Sequence, residues 1–160
     1  MKRTSTILAF AVALALTAGQ ALAMSSGSET ATTAAPGVEA YNEAKKLVKV
    51  NNWKAAIKKL HESIAEDPNN ADANNLLGYS YRKTKDYDNA FKYYRAALAL
   101  DPDHADAHEY IGEAYLETGD LPKAEEHLAA LQQICPSGCE QLEELAEAVE
   151  EYKAEHGSGS

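Results

Sequence analysis

The chain has 160 residues, with 25 Asp and Glu against 15 Lys and Arg, a formal net charge of -10, two cysteines and a mean hydropathy of -0.44. So negative a balance argues against nucleic acid or anionic lipid as a partner. Two cysteines are too few for a disulfide-dense scaffold or a four-cysteine metal site, which leaves one small, acidic, soluble domain.

Residues 1–23 read as a cleavable signal peptide. Lys2 and Arg3 precede an apolar run from Ile7 to Leu16, and Gln20-Ala21-Leu22-Ala23 supplies the small-residue cleavage pattern. The run is short for a membrane span, and no Cys follows Ala23 to take a lipid. The expected mature protein starts at Met24 and is periplasmic or secreted, with no membrane attachment after cleavage. Residues 24–36 hold Ser, Thr and Ala with almost no large apolar group, so they are expected to form a flexible linker. The terminal Gly157-Ser158-Gly159-Ser160 is expected to be coil.

Between Gly37 and Gly138 a 34-residue period organises the chain into units 37–70, 71–104 and 105–138. Pro68, Pro102 and Pro136 form one column, and Ala56, Ala90 and Ala124 another. The small residues Ala44, Gly78 and Gly112 are also in register, as are Leu47, Tyr81 and Tyr115, then Trp53, Tyr87 and Leu121, then Leu60, Tyr94 and Leu128. Asn52, Asp86 and Asp120 stand where a short side-chain oxygen can cap the second helix of each unit. Gly119 suits a left-handed helix stop, Pro122 suits a first helical turn, and the residue before each column proline is pushed out of helical backbone. The small residues should let the two helices of a hairpin approach, with the rings three positions later filling the gap to the next hairpin.

The columns Leu77-Gly78-x-x-Tyr81, Ala90-x-x-x-Tyr94 and Pro102, repeated as Ile111-Gly112-x-x-Tyr115, Ala124-x-x-x-Leu128 and Pro136, resemble the tetratricopeptide repeat (TPR) family. The first unit diverges most. Its Glu43 stands where Leu77 and Ile111 stand, which places it at the exposed front of the stack. The resemblance implies an all-α fold, an α-solenoid of three TPR helix hairpins.

Such a stack leaves an apolar face at its open end, and residues 139–156 are expected to close it as a C-terminal capping helix. Leu142, Leu145, Ala146 and Val149 continue the repeat register, while glutamates occupy the other faces.

Members of this family usually hold a peptide or helix along the concave face formed by their first helices. Here that face would carry the columns Tyr41, Asn75 and Glu109; Lys45, Tyr79 and Glu113; Val48, Arg82 and Leu116. Some relatives clamp a C-terminal carboxylate with Lys, Arg and Asn, but the third unit has Glu109 and Glu113 where a base would be needed. Charge is graded along the stack. Units 37–70 and 71–104 are nearly neutral, whereas 105–138 and 139–160 each set seven acids against one base. The expected partner is therefore another protein with a basic segment over Glu109, Glu113 and Glu117, anchored on Tyr79.

Cys135 and Cys139 flank a Pro-Ser-Gly turn, and export to an oxidising compartment makes a structural disulfide the expectation. The turn and acidic helix also resemble those of small exported bacterial TPR proteins ending in Cys-Pro-x-x-Cys-Glu. His104 and His108 lie four apart, too few for a zinc site, and His61, His127 and His156 are expected to be separate surface residues. No catalytic motif, metal site or cofactor fingerprint occurs. The sequence thus reads as a non-enzymatic interaction scaffold or adaptor. A self-associating structural module and a thiol redox protein using Cys135 and Cys139 are the alternatives.

Overall fold

A computed structural model describes residues 35–157. The expected signal peptide, residues 24–34 of the expected linker and the last three residues lie outside this range. Seven helices follow one another: α1 (Val38–Lys49), α2 (Trp53–Glu66), α3 (Ala71–Lys83), α4 (Tyr87–Leu100), α5 (Ala105–Glu117), α6 (Leu121–Ile134) and α7 (Glu140–His156). They form three hairpins and a seventh helix, and no described helix is long and apolar enough to cross a membrane.

The second helices start as the sequence indicates. Asn52, Asp86 and Asp120 accept from the backbone N–H groups of Ala55, Asn89 and Lys123 at 3.4, 3.2 and 3.4 Å. The first helices of the second and third hairpins use the same device, since Asn70 accepts from Ala73 at 2.8 Å and His104 Nδ1 accepts from Ala107 at 3.3 Å. Within each hairpin the chain turns through one left-handed residue, Asn51 (φ 56°), Lys85 (φ 64°) or Gly119 (φ 85°), each 34 residues from the next. Asp67, Asp101 and Cys135 then leave the second helices in non-helical backbone before proline.

Three apolar clusters hold the stack together. Ala44 and Leu60 meet Ala73 and Leu77, Ala90 and Tyr94 meet Ile111 and Ala114, and Ala124 and Leu131 meet Leu145 and Val149. Each joins one hairpin to the first helix of the next, and α7 fills that place for the third hairpin. Tyr115 of α5 bridges to the preceding hairpin by stacking on Phe91 of α4 at 4.5 Å. Tyr81 of α3 does so through its hydroxyl, 3.0 Å from His61 Nε2 of α2, while its ring stacks on Tyr93 within its own hairpin at 5.7 Å. Glu43 is exposed at the front and pairs with Lys59 at 3.1 Å.

Gly78 and Gly112 do different work from one another. A Cβ on Gly78 would stand 2.6 Å from the Tyr94 ring, so this glycine lets α4 approach α3 within one hairpin. A Cβ on Gly112 would stand 2.6 Å from Leu145, so there the close approach is that of α7 rather than of the hairpin partner. Cys135 and Cys139 are joined by a disulfide across the turn before α7.

Candidate functional site

The first helices α1, α3 and α5, with α7 beside α5, share one face. Tyr79 of α3 meets Tyr110 of α5 at 4.9 Å between ring centroids, and Arg82 of α3 pairs with Glu113 of α5 at 2.5 Å. Gln141 of α7 donates to Asp106 of α5 at 2.7 Å, which ties the capping helix to the same face.

Aromatic rings fill the middle. Trp53 lies edge-on to Tyr79 at 5.9 Å, while the Arg82 guanidinium lies 5.6 Å from the Tyr79 ring and 5.8 Å from the Tyr110 ring. Burial, reinforced by Glu109 and Asp106, raises the Tyr110 phenol above its ordinary range and keeps it a hydrogen-bond donor. At the front, the Lys45 ammonium sits 4.5 Å over the Tyr41 ring. Burial and the charges of Asp72 and Asp106 push the Tyr41 phenol up to about 12. Lys45, Lys46 and Lys49, with Asn42, line a depression of about 430 Å³.

The acidic end differs from three open charges. Glu109 exposes 3 % of its surface. Burial, a hydrogen bond with Glu144 and the charges of Glu113, Glu144 and Asp106 push its carboxyl up to about 9, so it is neutral at pH 7. Glu113 and Glu117 lie 2.5 and 3.6 Å from the buried Arg82, and Glu117 also lies 3.3 Å from Lys85 and accepts from the Tyr87 hydroxyl at 2.9 Å. Sequence reasoning leaves Arg82 and Glu113 as separate lining residues, whereas the fold joins them. Asn75, 5 % exposed, leaves its Oδ1 without a hydrogen-bond partner among the described residues. Leu116 packs partly buried in the third apolar cluster.

Several residues of this face escape the periodic reading. Tyr110 stands in the column of Leu76, one place beyond that of Asn75 and Glu109, and its ring could have been found by taking both columns as groove-facing. Glu151, Tyr152 and Glu155 belong to α7, read from sequence only as a lid. With Glu113, Leu116 and Glu117 they surround a pocket of about 480 Å³ between α5 and α7.

The histidines divide differently from their spacing. His104 is the buried cap of α5, and its Nε2 lies 3.2 Å from Asp72. His108 turns instead to His127, the Nδ1 atoms 2.9 Å apart, so His104 and His108 share no site. His127 is thus no isolated surface residue. No cluster of three metal-ligating side chains occurs among the described residues. The disulfide of Cys135 and Cys139 lies at the turn into α7 and outside the pocket lining.

Two family models described as tetratricopeptide repeat match residues 41–103 and 81–136. No curated protein matches the chain significantly. Among solved structures, the TPR2B domain of yeast Sti1, in a complex with pHsp70, aligns with a TM-score of 0.70 at 19% identity over 75% of this chain and 98% of that one. The first TPR of Spaghetti, bound to an HSP90 peptide, aligns with a TM-score of 0.65 at 19% identity over 72% and 91%. The type III secretion translocator chaperone SycD of Yersinia enterocolitica gives a TM-score of 0.68 at 19% identity over 74% and 84%. At these identities the likeness is one of fold.

Proposed function

The chain belongs to the tetratricopeptide repeat family, and from that premise we propose that it is a non-enzymatic adaptor holding a segment of another protein against the shared face of α1, α3, α5 and α7. The observation that carries this reading is the continuity of that face. Rings at Trp53, Tyr79 and Tyr110 sit between lysines at one end and carboxylates at the other, as a surface built for a peptide would need. That the Spaghetti and Sti1 domains are complexed with HSP90 and Hsp70 ligands supports the same use of the fold here. The bases of a carboxylate clamp are missing from the third hairpin, which has Glu109 and Glu113 at the corresponding positions.

Residues 1–23 direct the chain to the periplasm or out of the cell, and the disulfide of Cys135 and Cys139 then serves to fix the turn into α7. The test is capture from the exported fraction by the mature chain, with Tyr79→Ala/Tyr110→Ala as the disabled form. Loss of a specifically retained protein in that variant, with helicity unchanged, is the expected result. Equal retention by both forms refutes the groove, and mass spectrometry of the exported protein tests the Met24 start.

A further inference from the structure

We infer that the groove selects a dipolar segment, one whose basic end enters the pocket between α5 and α7 and whose acidic end meets the lysines of α1. The inference rests on the reading of this face as a peptide groove and adds the chemistry and polarity of the occupant. Its ground is the opposite character of the two ends. The α5–α7 pocket of about 480 Å³ is walled by Glu113, Glu117, Glu151 and Glu155 over a floor that includes Leu116 and Tyr152. Glu113 and Glu117 are already partnered by Arg82 and Lys85, but Glu151 and Glu155 make no ion pair among the described residues. A Lys or Arg has the required form, because its stem lies on an apolar floor while its head reaches the carboxylates.

The front of the same face is the converse. Lys45, Lys46 and Lys49 are exposed, line one depression with Asn42, and make no ion pair among the described residues. A wholly basic ligand would bring positive charge against these lysines, and a wholly acidic one would meet four glutamates. Only a segment with its charges separated satisfies both ends. Between them the Tyr79 and Tyr110 rings offer an amphipathic surface. Four neighbouring helices spaced by about 10 Å make the face roughly 30 Å long, the reach of about nine extended residues.

The test uses the mature chain and three synthetic nine-residue probes of identical composition and zero net side-chain charge. Two are dipolar, Glu-Glu-Ala-Leu-Pro-Leu-Ala-Lys-Lys and its reversed order, which together allow either backbone direction. The third has mixed ends, Glu-Lys-Ala-Leu-Pro-Leu-Ala-Lys-Glu. One dipolar probe is expected to bind about tenfold tighter than the mixed probe by fluorescence anisotropy. Glu151→Lys/Glu155→Lys should remove that preference, whereas Asp88→Lys/Glu126→Lys, an equal charge change on the second helices, should leave it.

Equal affinity for the three probes, or none for any, overturns the inference. So does a preference that survives Glu151→Lys/Glu155→Lys. Dimerisation of the free chain abolished by that same pair of reversals would give the pocket to a second copy and also overturn it. If Tyr79→Ala/Tyr110→Ala weakens partner capture while the Glu151 and Glu155 reversals do not, the groove stands and only the dipolar inference falls. If the tyrosine variant captures its partner undiminished, the underlying groove reading falls.

Discussion

Arg82, with only 4 % of its side chain exposed, reaches from α3 to within 2.5 Å of Glu113 on α5, whose own side chain is 28 % exposed. The asymmetry sets the energetic consequence. Removing the arginine leaves Glu113 and Glu117 near enough to solvent to recover hydration, while removing the glutamates would strand a buried cation. Arg82→Met should therefore cost about 1–3 kcal/mol in urea unfolding, below the 3–5 kcal/mol usual for a broken, fully buried pair. Glu113→Gln/Glu117→Gln should cost more than Arg82→Met, and the reverse order would show that the arginine is not held in a low-dielectric site.

The two glycines of the repeat column predict unequal penalties for one substitution. In Gly78→Ala the new methyl meets the Tyr94 ring, a rigid plane buried on all sides. In Gly112→Ala it meets the methyls of Leu145, which can change rotamer. Overpacking of this kind costs about 1–3 kcal/mol, and Gly78→Ala should fall at the upper end and Gly112→Ala at the lower. Thermal unfolding of the two variants measures the difference, and equal losses would contradict it.

Lys85 shows where the sequence conceals what the backbone repeats. Gly119 announces its left-handed turn by being glycine, and Asn51 is a residue that tolerates the same conformation. Lys85 carries no such signal, yet its φ of 64° matches theirs one period away. Lys85→Gly should raise stability by roughly 0.5–1 kcal/mol, as relief of left-handed strain outweighs the extra freedom of the unfolded chain. An unchanged or lower denaturation midpoint would refute this.

The features legible in advance were those that local chemistry or the period fixes. They include the Asn52, Asp86 and Asp120 caps, the exposed Glu43 and the burial of Leu145 and Val149 by extension of the register. The site was legible only as a set of columns. Periodicity says that Glu109 shares a face with Tyr41 and Asn75, but its neutral state arises from Glu144, 35 residues away on α7. His127 likewise appears solitary because its partner is on the preceding helix, 19 residues back. Pairings across helices follow from packing distances, which one-dimensional spacing does not contain.

Glu109 should make the protein less stable as pH rises. Its carboxyl titrates near the ordinary glutamate value when unfolded but only at about 9 when folded. Between roughly pH 4.5 and 9 the folded state therefore binds the extra proton, and stability falls through that window. Glu109→Gln keeps the shape and removes the titration, so it should gain about 1–3 kcal/mol over the parent at pH 7 and little at pH 4. Urea midpoints at pH 4, 7 and 9 check this, and a gain that does not grow with pH would sink it.

His127 should act in the opposite sense at the acid end. His108 Nε2 lies 3.0 Å from the carbonyl oxygen of Pro102 and must donate to it, so in a neutral His108 the Nδ1 is the acceptor and His127 Nδ1 the donor across 2.9 Å. Burial, then the neighbouring His108, lowers His127 to about 4. A depressed folded value means that this contribution is present above the unfolded value near 6.5 and is lost as pH falls toward 4. His127→Phe keeps a ring to stack on Tyr115, which lies 5.8 Å away, but it cannot take up the proton. Relative to the parent, the variant should recover about 1–2 kcal/mol between pH 6.5 and 4, starting from lower stability at neutral pH because His108 loses its partner. Parallel pH profiles for the two proteins would show that this pair plays no part in the acid sensitivity of the third hairpin.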